Sequence, residues 1–298
     1  MREIPPATLS WVADQVGGRR RIISNAWMGP ASTVMHAIDV LDDRGRVRRL
    51  AVRQYADLAR LATDPWYLPQ HEALALEVLE EARVPAPRLV AADCDPLFCE
   101  APTLLETRVP GRLLTRRPRD MDSYLRGSAE LLRAIHQIDI ANVAGLQRYA
   151  PYKPPEGLKV PTWSRRRDLW ARVLETLSRP GPPVQEGFIH RDYHPGNILR
   201  SHGRISGAID WPTACRGPFS IDLARMRLNL AGDFRLEDAN RFLSLYEELA
   251  DHSFIHDPYW DLLDAVDSAH DAEPPRTRAE AASWERFERW VEQARASV

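Results

Sequence analysis

The stretch that most constrains this chain is residues 187–211, GFIHRDYHPGNILRSHGRISGAIDW. Phe188 and Ile189 lead into a polar loop that ends at Asn197. Residues 198–200 and 204–209 then read as two short strands around the turn Ser201-His202-Gly203. The arms of a hairpin run antiparallel, so Asp210 at the end of the second is expected to return close to Asn197 at the start of the first. Asp192, Asn197 and Asp210 would then bring a carboxylate, an amide oxygen and a second carboxylate to one small volume. Such a donor set suits Mg²⁺, a hard ion that takes oxygen ligands and shares its shell with waters and phosphates.

The order and gaps are those of phosphoryl-transfer loops. In that template an Asp accepts the proton of the attacking hydroxyl, an Asn five residues later holds metal, and an Asp beyond a short hairpin links metal to the nucleotide phosphates. The segment resembles the aminoglycoside phosphotransferase family, the branch of the protein-kinase-like superfamily that acts on small molecules and includes choline-kinase-like enzymes. The likeness is carried by His190-Arg191-Asp192-Tyr193-His194-Pro195-Gly196-Asn197, by Ile209-Asp210-Trp211 and by Asp222-Leu223-Ala224. It implies an α+β, bilobal protein-kinase-like fold. An N-lobe of antiparallel sheet plus helix would cover residues 1–108, a larger, mainly helical C-lobe 109–298, and a hinge about 106–111. It also implies transfer of the γ-phosphate of ATP, or of GTP, to a hydroxyl of a small molecule with Mg²⁺ bound. Asp192 would be the catalytic residue, Asn197 and Asp210 the metal ligands, and His190 and Asp222 structural supports.

Size and composition agree with this reading. At 298 residues the chain exceeds the roughly 100–200 residues of a usual domain, so two lobes with separate cores are expected. A formal net charge of -2 argues against a broad basic surface for nucleic acid and favours a small-molecule partner. Cys94, Cys99 and Cys215 are the only cysteines, a scattered set that fits a reducing compartment, with Cys94 and Cys99 read as buried apolar residues. No run approaches the ~18 apolar residues of a membrane span, and the start, Met-Arg-Glu-Ile-Pro-Pro, lacks a secretory core. A cytoplasmic monomer or homodimer is expected, with no nucleic-acid or membrane partner.

Lys153 and Lys159 are the only lysines, and neither lies in a recognisable strand of the N-terminal region. Three strands are expected there: residues 21–23, 33–41 and 50–55. The connection 24–33 sits where a nucleotide loop would cover phosphates, yet it is poor in glycine; Ser32 and Thr33 could offer hydroxyl or amide to a phosphate oxygen. By resemblance, Arg53 in Leu-Ala-Val-Arg-Gln-Tyr replaces the phosphate-anchoring lysine, a chemically reasonable though not equivalent exchange. A helix is expected over 69–82, with Glu72 on the stripe of Ala75, Leu76 and Leu79 and therefore facing inward, able to anchor Arg53. The resemblance further assigns adenine to the carbonyl of Thr107 and the amide of Val109, just before the breaker Val109-Pro110-Gly111.

Helical character begins at Asp120, with an apolar stripe leading to His136, read as a packing residue. Residues 163–177, 235–251, 256–271 and 277–296 also read as helices. Asp257, Asp261 and Asp264 recur at near-helical spacing. Relatives that take polycationic antibiotics use acids from this end of the chain to hold amines, so these three are candidate substrate contacts, the alternative being a solvated acidic face. Trp260, Trp284 and Trp290 are expected in the core. A protein kinase is disfavoured, because Asp210-Trp211-Pro212 stands in place of Asp-Phe-Gly and little room remains before Asp222 for an activation segment. A nucleotide-binding pseudokinase, or an interaction protein without turnover, is the alternative.

Overall fold

A computed structural model describes residues 4–17, 21–27 (backbone), 33–41, 45–151, 157, 159–251, 253–270 and 272–298. The chain forms two compact units. The first comprises residues 1–110, 143–146 and 207–214, and the second residues 111–142, 147–206 and 215–298. Asp210, expected in a C-lobe of residues 109–298, therefore belongs to the first unit.

The first unit is built on a five-stranded antiparallel sheet: β1 (Arg21–Trp27), β2 (Val34–Leu41), β3 (Val47–Gln54), β4 (Leu89–Asp93) and β5 (Thr103–Thr107), in the order β1-β2-β3-β5-β4. Side chains alternate across a strand, and this sorts β3 and β5 cleanly. Leu50, Val52 and Leu105 join Ile38 and Val40 under α1 (Pro6–Gln15), whose Trp11 and Val12 complete a buried apolar cluster. Ala51, Arg53, Leu104 and Glu106 face the other way, where Tyr55, Tyr67 and Ala73 pack with Leu104. That face also receives α3 (Pro69–Glu81), which starts with Pro69 at its first turn and buries Glu72, Ala75, Leu76 and Leu79. The expected inward stripe is thus the one observed. Residues 24–27 continue β1 rather than opening a connection, and α1 and a short α2 (Leu58–Thr63) are additional. Ser32 lies outside the described residues.

Asp93 organises the β4–β5 connection by accepting the amides of Leu97, Phe98 and Cys99 at 2.8–3.0 Å. These bonds, outweighing the effect of burial, hold its carboxyl below the ordinary range. Cys99 is buried in the sheet–α1 core, and all three cysteines are unpaired by disulfide.

The second unit is mainly helical: α4 (Met121–His136), α5 (Arg167–Leu177), α6 (Phe219–Asn229), α7 (Leu236–Leu249), α8 (Pro258–Ala269) and α9 (Arg278–Ala296). α4 packs on α7, and α8 packs on α5, α6 and α9. β6 (Glu186–Ile189) pairs antiparallel with β9 (Cys215–Pro218), a strand the apolar pattern does not announce, and β7 (Ile198–Ser201) pairs with β8 (Arg204–Ala208) as the expected hairpin. Gly111 has φ 133°, and a Cβ there would stand 2.5 Å from the carbonyl of Arg200. Only glycine lets Arg112 exchange both backbone bonds with Arg200, at 2.9 and 3.0 Å. The antiparallel N-terminal sheet and larger helical region are those expected of the α+β fold. Among the described residues no helix is long and apolar enough to cross a membrane.

Candidate active site

In the first unit, Arg53 projects from the centre of the sheet and is buried. Its Nε lies 3.1 Å from Glu72 Oε2 and 3.7 Å from Glu106 Oε1, and its Nη1 donates to Asp210 Oδ1 at 2.8 Å and to Thr33 Oγ1 at 3.2 Å. Glu72 is held from two further sides: Tyr55 Oη donates to Oε2 at 2.7 Å and the Trp211 amide to Oε1 at 3.3 Å. The sequence expectation that Glu72 anchors Arg53 matches this contact. The donors of its guanidinium are thus shared among three carboxylates.

Glu106 is the member that sequence reasoning missed. It sits diagonally from Arg53 on the same face of the β3–β5 pair, since Arg53 is in register with Leu104. Burial and the nearby charge of Glu72 push its carboxyl up to about 8, and burial likewise raises Glu72. Asp210 has φ 70°, a left-handed backbone unusual for a non-glycine residue. Its side chain remains 39% exposed, so one face of the carboxylate is open to a ligand. Thr107 ends β5, with its amide donating to Arg88 O and its Oγ1 accepting from the Arg88 amide, both at 2.9 Å. Val109 follows, half-buried.

In the second unit, Asp222 on α6 organises the loop. Its carboxylate accepts the amide of His190 at 2.9 Å, the amide of Arg191 at 2.7 Å, and Nε2 of His136 at 3.0 Å. Because a carboxylate only accepts, His136 must donate through Nε2. Its Nδ1 then takes the proton of Tyr246 Oη, 2.6 Å away. Burial lowers His136, which keeps it neutral. His136 therefore does more than pack. Arg191, at φ 71°, turns the chain left-handed directly before Asp192, and Tyr193 Oη ties the loop to the Ser128 carbonyl of α4 at 2.7 Å. His190 is buried, with Nδ1 3.3 Å from the Asp192 amide.

Asp192 is left 34% exposed at the end of this scaffold. Asn197 Nδ2 donates to its Oδ2 at 3.2 Å and to its carbonyl at 3.0 Å, so the Asn197 amide oxygen is turned away and remains an acceptor. His194 Nε2 lies 3.5 Å from Oδ2 and Arg225 Nε 3.7 Å from Oδ1. Burial alone would raise this carboxyl, but His194, Arg225 and His190 outweigh it and hold Asp192 well below the ordinary carboxylate range.

The three acids expected to contact substrate have other partners. Asp257 caps α8 by accepting the Tyr259 amide at 2.8 Å. Asp261 is fully buried, paired with Arg227 and, at 2.9 Å, with His256 Nε2. Asp264 is buried against Arg225 at 2.8 Å, and burial pushes it up to about 7. The overlooked signal is Arg225-Met226-Arg227 on α6, two cations that α8 must neutralise. Trp260 and Trp290 are buried as expected, whereas Trp284 is half-buried and, with Trp163, Asp233 and Ser268, lines a cavity of about 500 Å³ within this unit.

Each unit offers an oxygen donor of the kind a hard divalent cation takes: in the first, Asp210 has an exposed carboxylate face, and in the second, Asn197 has an unspent amide oxygen. Among the described residues no three His, Cys, Asp or Glu side chains cluster as a metal-holding group.

Comparison with known proteins follows this chemistry. The chain aligns with N-acetylmuramate/N-acetylglucosamine kinases from Pseudomonas aeruginosa, at 26% identity over 49% of this chain and 45% of the relative, and from Neisseria meningitidis, at 32% over 21% and 18%. It thus spans less than half the length of these curated relatives. Among solved structures it resembles a thermostable mutant of aminoglycoside phosphotransferase APH(4)-Ia bound to AMP-PNP and hygromycin B, with TM-score 0.63, 18% identity, and 97% and 99% of the two chains covered. Similar too are a type I macrolide 2'-phosphotransferase, with TM-score 0.60, 18% identity and coverage of 99% and 98%, and amicoumacin kinase hAmiN bound to AMP-PNP and Ca²⁺, with 0.58, 17%, and 90% and 88%. At such identities the likeness speaks for the fold. The profile of the Phosphotransferase enzyme family (APH) matches residues 39–258, most of the chain, and the protein belongs to that family.

Proposed function

We propose that the protein is an ATP- and Mg²⁺-dependent kinase that phosphorylates a hydroxyl of a small molecule. The observation that carries this reading is Asp192: a partly exposed carboxylate, kept ionised by His194 and Arg225 and oriented by the Asn197 amide. So weak a base does not strip a proton from a ground-state alcohol. It accepts a hydrogen bond from the acceptor hydroxyl, orients it, and takes the proton late, as bonding to phosphorus makes the hydroxyl acidic; a loose transition state asks for little more. Asn197 and Asp210 are assigned to the metal, which when bound supplies charge neutralisation at the phosphates. Arg53, steadied by Glu72 and assisted by the Thr33 hydroxyl, is assigned to the nucleotide phosphates. Adenine is assigned to the backbone of Thr107 and Val109, and GTP would use the same backbone.

The acceptor is a hydroxylated small molecule. The curated relatives are named for N-acetylated sugars, and the structural neighbours for an aminoglycoside, a macrolide and amicoumacin. The test is transfer of labelled γ-phosphate to a panel of sugars, amino alcohols and antibiotics. The reading expects an alkali-stable phosphate ester on one of them, abolished by chelating divalent cations. ATP binding with no transfer to any member, and none to water, would favour a pseudokinase instead.

A further inference from the structure

The two oxygens of the Asp192 carboxylate are not equivalent. Oδ2 accepts from Asn197 Nδ2 at 3.2 Å and faces His194 Nε2 at 3.5 Å. His194 Nδ1 accepts the Gly196 amide at 3.1 Å, so in the neutral ring the proton is carried by Nε2, the nitrogen turned to that same oxygen. Gly196 is what lets the ring lie there, since a Cβ at this position would stand 2.5 Å from His194 Cε1. Oδ1 accepts no hydrogen bond among the described residues, and the cation facing it is Arg225, with Nε 3.7 Å away.

At that distance the guanidinium attracts Oδ1 without bonding to it. An arginine and a carboxylate close a hydrogen bond at about 2.7–2.9 Å, so a shift of roughly 1 Å would bring Arg225 onto the catalytic oxygen. What opposes the shift comes from α8. Asp264 Oδ1 lies 2.8 Å from Nη2, and Ser268 Oγ accepts from Nη1 at 3.2 Å. These two residues are one helical turn apart and therefore share a face, and α8 packs on α6, from which Arg225 projects. Both ends of the Arg225–Asp264 pair are buried, so it is a fixed tether rather than a fluctuating surface contact. An arginine bonded to Oδ1 would compete with the acceptor hydroxyl for that oxygen, because a charge-assisted bond is about twice as strong as a neutral one. Held one step back, it lends Asp192 its charge and leaves Oδ1 open.

We infer that Asp264 and Ser268 are positioning residues that hold Arg225 off the catalytic carboxylate, so that Oδ2 fixes the Asp192 side chain and Oδ1 receives the acceptor hydroxyl. The catalytic consequence rests on the phosphotransferase reading; the restraint on Arg225 is a property of the fold and is tested without turnover.

Asp264→Ala removes the main tether. A crystal structure of this variant should show a guanidinium nitrogen of Arg225 within about 3 Å of Asp192 Oδ1. With the acceptor identified by the phosphate-transfer panel, kcat should fall about tenfold while KM for ATP stays within about twofold. In an Arg225→Met background the same substitution should change kcat by less than about threefold relative to Arg225→Met alone, because no arginine is left to restrain. A merely structural role would instead cost both backgrounds alike. Ser268→Ala should act in the same direction with a smaller effect, and it carries the test if Asp264→Ala does not fold; thermal midpoints are recorded for every variant. The inference is overturned if Arg225 stays away from Asp192 once the tether is cut, if kcat is unchanged, or if the loss is equal in the two backgrounds. A parent protein that transfers phosphate to no acceptor would remove the kinase reading instead, and the position of Arg225 in the variant crystal would then decide the restraint alone.

Discussion

Around Arg53, three carboxylates share one buried guanidinium, and two of them, Glu72 and Glu106, are buried with it while Asp210 keeps an exposed face. Around Asp192, a single carboxylate with a third of its side chain exposed meets His194, Arg225 and the Asn197 amide. The first cluster carries an excess of negative charge in a buried place, and the response is to raise its acids: Glu72 and Glu106 hold their protons more tightly than a free glutamate. In the second, His194, Arg225 and His190 outweigh burial and drive Asp192 the opposite way. The difference separates two tasks. Groups that must stay where they are can be buried and partly neutralised, because their value lies in geometry. A group that must meet a substrate has to remain ionised and reachable. The surplus acid around Arg53 also leaves that unit receptive to a cation near Asp210, which fits the metal assigned there.

Cutting each cluster should therefore fail in a different currency. Glu72→Ala removes the acid that ties together Arg53, Tyr55 and Trp211, and breaking a buried pair from one side costs about 3–5 kcal/mol. The expectation lies near the lower figure, since Glu106 and Asp210 still face Arg53. Chemical denaturation measures it, and a loss below about 1 kcal/mol would show that Arg53 does not depend on Glu72.

A pH-dependent effect concerns Glu106. Its folded-state value of about 8 lies above the ordinary 4.5, so across that interval the folded chain holds a proton the unfolded chain has released. Stability from this group is present below about pH 4.5 and is lost as pH rises towards 8. Arg53, Glu72 and Asp210, the charged groups facing it, modulate the same window. Glu106→Gln removes this titration, so between about pH 5 and pH 8 the variant should lose less stability than the parent. Denaturation midpoints across that range decide it; parallel curves would mean that Glu106 is ionised in the fold.

The same contrast explains what was legible in the sequence. His190 to Asn197 lie within one loop, and the chemistry of that loop is written in consecutive residues. Glu72 was legible because helical periodicity alone turns it inward. Glu106 was not, since recognising it requires knowing that β5 rather than β4 lies beside β3, an order that no local pattern records. Asp261 and Asp264 were misjudged for a related reason. Acids at helical spacing look like an exposed face until Arg225 and Arg227, on a different helix, are known to lie against them. α1 was invisible because its pattern is mixed, and its Trp11 and Val12 become core only when the sheet supplies a surface. The cavity walled by Trp163 and Trp284 joins residues more than a hundred positions apart in the chain, and Trp284 alone reads as one more buried aromatic.

The central claim is that Asp192 serves chemistry and not the fold. Asp192→Asn tests it most directly, with nucleotide affinity, thermal midpoint and phosphate transfer measured on the same preparation. The account predicts nucleotide binding and folding close to the parent, with turnover reduced by about 10²–10⁴, the contribution of a well-placed acid–base group. Turnover within a few-fold of the parent would contradict it, as would a loss of turnover that merely follows a loss of folded protein.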